Sequence, residues 1–167
     1  HFSVVRLPPA NDAVSQITRK ELPGLWAGPA ANELSTRTVA LIAPALPAVA
    51  AARLGYNNGY PDSDGILRRY RLHETLVDGS QIQSMAASVA SRLNPTLQSK
   101  PGNADALIAW RNAPNAYPRI AFADVFAQAE GDKPLAAVPS FAGKVVLIGA
   151  TAPSLHDIHP TPLSPLQ

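Results

Sequence analysis

Cysteine is absent from the 167-residue chain, which excludes disulfides, thiol catalysis and thiolate metal sites together. The same absence suits a reducing and an oxidising compartment alike, so it does not place the protein. Charge is scarce too: 14 Lys and Arg against 12 Asp and Glu leave a net charge of +2. The basic residues are scattered, with Arg68-Arg69-Tyr70-Arg71 as the cluster, and this is not the footprint of a nucleic-acid binder. Long hydrophobic runs are missing. The longest apolar stretch, Val39 to Ala52, falls short of the roughly 20 residues needed to span a bilayer and is broken by Pro44 and Pro47. No basic, apolar, small-residue leader opens the chain. Gly-x-Ser-x-Gly, Walker and dinucleotide-binding patterns are also missing, so no cofactor is expected.

What is present suits a packed core. Apolar residues make up 46% of the chain and charged residues 16%, which excludes a disordered polar polypeptide. The length predicts one domain, residues 1–167. Seventeen prolines predict short, interrupted elements joined by surface connections.

Phe2 to Leu7 alternates as a strand and is stopped by Pro8-Pro9. Val14, Ile17 and Leu22 line either a short helix or a loop. Arg37 to Ile42 suits an extended segment, and Pro47 to Ala52 a helix capped by Gly55. Gly55 to Tyr60 and Ile66 to Leu72 then read as the arms of a β-hairpin about Asp62-Ser63-Asp64-Gly65. Alternation puts Arg68 and Tyr70 on one side of the returning arm, Arg69 and Arg71 on the other. Val77 to Ser80 turns the chain into a helix, with Ile82, Met85, Ala86, Val89, Ala90 and Leu93 at helical spacing until Asn94-Pro95. Leu97 to Asn115 reads as a polar insertion and Tyr117 to Ala121 as a brief strand. A helix from Phe122 to Glu130, stopped by Gly131, comes next.

Val145-Val146-Leu147-Ile148, set between Gly143-Lys144 and Gly149, predicts a strand buried on both faces. That makes the expected fold α/β: a mixed, largely parallel sheet flanked by helices, with one β-hairpin, in a single domain. Exposed amides of Gly149, Ala150 and Thr151 would follow this strand at a sheet crevice, where with the Thr151 hydroxyl they suit an anion or carboxylate. Their plainer role is a tight turn. Asp62-x-Asp64-Gly65 lacks the further oxygen ligands and the terminal Glu of a calcium loop. His156, Asp157 and His159 make an incomplete ligand set, so no metal is expected. Ser154, His156 and Asp157 lie too close in sequence to form a relay, and catalysis is not expected.

Three blocks, with two more that follow, resemble one family. They are Leu54-Gly55-Tyr56-Asn57-Asn58, Pro61 through Leu72, and Gln83-Ser84-Met85-Ala86. The match continues with Ile120 through Phe126 and closes with Gly143 through Thr151, Asp157 and Thr161-Pro162. In order and spacing this set resembles the CHASE2 domain across most of residues 46–164, and it leaves the fold of residues 1–35 open. The resemblance implies an extracytoplasmic sensory domain of a bacterial transmembrane receptor: periplasmic, belonging to an inner-membrane protein, and coupled to a histidine kinase, a nucleotide or diguanylate cyclase, or a Ser/Thr kinase. It implies no catalysis in this chain, which is expected to be a fragment truncated at both ends. The implied partners are a small molecule or a periplasmic protein, with a homodimer as one arrangement. The alternative is a structural or partner-binding module with no small-molecule pocket. Arg68 and Arg69, on opposite faces of one strand, join Gly149, Ala150, Thr151 and Asp157 as the candidate ligand-binding residues. An inward Arg needs a carboxylate, and Asp62 or Asp157 is the family's nearest candidate, so a structural ion pair is favoured over a ligand contact.

Overall fold

The computed structural model describes residues 1–14, 17–18, 21–27, 39–45, 53–76, 80–97, 105–111, 117–149 and 160–163. The chain divides into two compact units, His1–Ile108 and Ala109–Gln167. The expected helix from Pro47 to Ala52 and the turn residues Val77 to Gly79 lie outside the described residues, as do Ala150, Thr151, Ser154, His156, Asp157 and His159.

In the first unit, β1 (Phe2–Arg6) turns Val4 and Arg6 inward while Ser3 and Val5 face out, the period of two that its sequence carries. It is the middle strand of a three-stranded sheet. One neighbour is β3 (Leu41–Ile42), antiparallel, with Arg6 opposite Leu41. The other is β4 (Leu54–Tyr56), parallel, with Val4 opposite Tyr56. All three β4 residues are buried. Gly55 is there for a packing reason: a Cβ on it would run into the backbone of Ser84 and Met85 at the start of the next helix.

A second, antiparallel sheet has the order β2 (Trp26–Ala27), β7 (Gln81–Gln83), β6 (His73–Thr75). Ile82 lies opposite both Trp26 and Glu74. Ile82 was expected to open a helix, but two strand partners override that reading and α1 begins at Met85, running to Leu93. Ser84 caps it, its Oγ accepting from the Ala87 amide at 3.2 Å. Asn94 and Pro95 end it as the sequence indicates. Buried Val4, Leu22, Leu25, Trp26, Val39, Leu41, Leu54, Tyr56, Leu76 and Ile82 form one core between these elements.

The hairpin turn forms where expected. The Asp62 amide donates to Ile66 O, the Gly65 amide donates to Asp62 O, and Gly65 sits at φ 79°. Its arms do not pair with each other. The returning arm narrows to β5 (Arg69–Arg71) and pairs antiparallel with β8 (Asp105–Leu107), inside what reads as a polar insertion. Turn chemistry marks the reversal, but a partner more than thirty residues away leaves no local signal.

The second unit carries α2 (Phe122–Glu130), ended by Gly131 at φ 84°, with Asp132 N–H bonding back to Ala127 O at 2.8 Å. The buried Asp124 carboxylate accepts from the Leu135 and Ala136 amides and ties the returning chain to the helix. Tyr117 to Ala121 is not a strand. Nor is the apolar run: Val145, Val146, Leu147 and Ile148 have no strand partner among the described residues and are 58%, 48%, 79% and 82% exposed. Apolar residues in series meet the criterion for a buried strand, but a strand also needs a facing edge, which composition does not encode. The architecture is therefore mixed α/β in small sheets. Among the described strand pairs only β1–β4 is parallel, so these pairs do not build the expected largely parallel, helix-flanked sheet.

Candidate functional site

Among the described residues of the first unit, charged side chains collect at a sealed place and at an open one. The sealed one is Arg6, carried inward by the alternation of β1, with its side chain 2% exposed. Its Nη1 donates to Asp12 Oδ1 at 2.7 Å, Leu7 O at 2.8 Å and Ala40 O at 3.1 Å. Nη2 donates to Asp12 Oδ2 at 2.8 Å, and Nε to Glu74 Oε1 at 3.1 Å. Burial works against the charged guanidinium, but Asp12 and Glu74 more than offset it and raise its pKa. Asn58 completes the arrangement as a false strand, accepting from the Arg6 amide at 2.7 Å and donating to the Arg6 carbonyl at 2.8 Å. Every donor of this guanidinium is used, which makes it a structural centre rather than a ligand site. Arg6 is not among the residues that the sequence motifs point to. The available signal was an Arg at an inward position of an alternating strand, which cannot be buried unpaired.

The open place is the face around the Asp62 turn and β5. Of Arg68 and Arg69, Arg68 is the one held by carboxylates, Asp62 and Asp64, although its side chain is 36% exposed rather than inward. Its Nη1 donates to Asp62 Oδ2 at 2.9 Å and Asp64 Oδ1 at 2.8 Å, and its Nη2 to Asp64 Oδ2 at 2.6 Å. Hydrogen bonding from Arg68, then from the Ile66 amide, pushes the Asp64 carboxyl down to about 2. These acids are neutralised by an arginine. No group of three or more metal-ligating side chains occurs among the described residues.

Arg71 is held differently. Its strand register places it opposite Asp105, and Nε donates to Asp105 Oδ1 at 3.0 Å. The guanidinium carbon lies 4.8 Å from the centre of the Tyr60 ring. Nη1 and Nη2 have no partner among the described residues. Below, Tyr56 OH donates to Arg71 O at 2.8 Å, and Tyr70 OH donates to Tyr56 O at 3.2 Å. Burial raises the phenol pKa of Tyr56, Tyr60 and Tyr70, so all three stay neutral donors near pH 7. Arg69 is exposed, lies opposite Leu107 and makes no ion pair among the described residues.

Of the candidate residues, Arg68 and Arg69 lie in the first unit and Gly149 in the second, where it is exposed; Ala150, Thr151 and Asp157 are outside the described residues. Arg71 was legible only as a member of the basic cluster. Its distinction depends on Tyr60 and Asp105, which the sequence does not place beside it.

No helix among the described residues is long and apolar enough to cross a membrane. The family model of the CHASE2 domain matches the chain over residues 9–167. No curated protein and no solved structure matches it.

Proposed function

The chain belongs to the CHASE2 family of extracytoplasmic sensory domains, and from this premise we propose that it is the non-catalytic input domain of a bacterial transmembrane receptor. The observation that carries the reading is the match over residues 9–167, nearly the whole chain. In this reading the domain faces the periplasm and biases adjacent transmembrane helices, whose output is a histidine kinase, a cyclase or a Ser/Thr kinase. The mechanism is a population shift: a ligand that binds one packing of the domain better than another moves the helices attached to it. A largely parallel sheet flanked by helices belongs to the same reading.

The test is made in the full-length receptor. Reporter fusions should place the domain outside the cytoplasm, and replacing it with an unrelated folded domain should abolish regulated output while leaving basal output measurable. Regulated output that survives the replacement would sink the proposal.

A second reading, a dimerisation or partner-binding module, is favoured by the exposed Phe122 and Phe126 rings, stacked at 6.5 Å on one face of α2. Sedimentation of the chain and of Phe126→Ser separates the two: a dimer lost in the variant supports assembly as the input.

A further inference from the structure

We propose that the face of β5 carrying Arg69 and Arg71, with Tyr60 against the Arg71 guanidinium, is a binding site for an oxyanion: a carboxylate or phosphate group on a small molecule. As the ligand site of a sensor it rests on the reading above; as a binding site it stands by itself.

A guanidinium carries five N–H donors, and in this fold the comparison between neighbours is informative. Arg6 spends all of its donors internally, and Arg68 turns its fork onto Asp64 and Asp62. Arg71 spends only Nε, on Asp105 at 3.0 Å, and leaves the four N–H groups of Nη1 and Nη2 without an acceptor among the described residues. That free edge is the one whose spacing matches two oxygens of a carboxylate or phosphate.

The edge is also held in place. Asp105 fixes the Nε end, and the Tyr60 ring at 4.8 Å covers one face of the plane. The side chain is 33% exposed, so solvent and ligand reach it while part of the group is already dehydrated. Holding the group before binding lowers the entropy lost on binding. The Tyr60 hydroxyl makes no hydrogen bond among the described residues and adds a donor to the same locality.

Charge completes the argument. Asp105 cancels the net charge of Arg71, so the pair alone attracts an anion only weakly. Arg69 restores a positive field: strand alternation puts it on the same face, roughly 7 Å along β5. A second positive charge on the same face suits a dianion, one end on the Arg71 fork and the other towards Arg69. In the second unit, Arg111 over the Tyr117 ring at 5.8 Å has the aromatic contact with no carboxylate partner among the described residues, and serves as a control.

Titration calorimetry of the whole chain with succinate and, separately, with inorganic phosphate tests this, at ionic strength held constant with chloride. Saturable one-to-one binding of at least one probe is expected. Preference for succinate identifies a carboxylate source, and preference for phosphate a phosphoryl one. Arg71→Lys keeps the charge but loses the fork, and should weaken binding about tenfold or more. Arg69→Ala breaks no ion pair among the described residues and should weaken it about threefold. Arg111→Ala should bind as the parent does. If Arg71→Lys fails to fold, Arg69→Ala decides alone. Absence of binding by both probes, or parental affinity in either folded variant, overturns the proposal. Binding that leaves receptor output unchanged counts against the sensory reading and not against the site.

Discussion

At the scale of single residues, burial decides what an arginine does. Arg6, Arg68 and Arg71 have the same side chain and three different fates: sealed among acids, folded onto its own turn, or half open over a tyrosine. The sealed one is the costliest to change. Arg6→Met would leave Asp12 and Glu74 without their counter-charge in the interior and should destabilise the protein by about 3–5 kcal/mol, read by urea unfolding at pH 7. A loss below about 1 kcal/mol would show the acids to be solvated. His73 gives a second residue-scale expectation. It is 3% exposed, and burial lowers its pKa from 6.5. The unfolded chain therefore binds a proton more readily than the folded one. As pH falls below about 6.5 the unfolded state gains protons first, so stability declines there until the folded pKa is passed. His73→Gln should flatten this slope between pH 6.5 and 5 in unfolding curves; an unchanged slope assigns it to other groups.

At the scale of elements, what the sequence makes legible is what closes locally. The turn at Asp62 to Gly65, the stop of α1 at Asn94-Pro95 and the stop of α2 at Gly131 each depend on residues within a few positions, and each lies where the sequence puts it. Pairing is another matter. The β5 strand was legible as a strand, but its partner β8 lies across a long loop whose composition reads as polar insertion. Ile82 satisfies helical spacing with Met85 and equally a strand flanked by Gln81 and Gln83; two facing strands settle the choice. The close approach of β4 to the start of α1 rests on Gly55. Gly55→Ala should cost about 1–3 kcal/mol or more, because the added methyl meets backbone that cannot rotate away. Ser84→Ala, which removes the cap of the same helix, should cost about 1 kcal/mol. Differential scanning calorimetry of both variants checks the order: a larger loss for Ser84→Ala would mean that the approach at Gly55 is looser than the structure places it.

At the scale of the whole molecule, the core cluster from Val4 to Ile82 lies entirely within the unit His1–Ile108. Residues 1–108 expressed alone should therefore unfold in one cooperative transition. A broad, non-cooperative melt would show that residues from 109 onward complete that core. The family assignment also belongs to this scale, because the blocks that carry it come from both units, Leu54 to Ala86 in one and Ile120 to Thr151 in the other.

The sequence by itself determined the family, the two helix stops, the Asp62 turn and the exclusion of thiol and P-loop chemistry, because each follows from residue identity at short spacing. Only the tertiary structure decided which strands pair, that Arg6 is the sealed charge, and that Arg71 keeps an open donor edge while Arg68 does not. It also left Val145 to Ile148 exposed where composition alone calls for burial. The physical reason is common to all of these: burial and pairing depend on what faces a residue from a distant part of the chain, and local periodicity carries no information about the facing side.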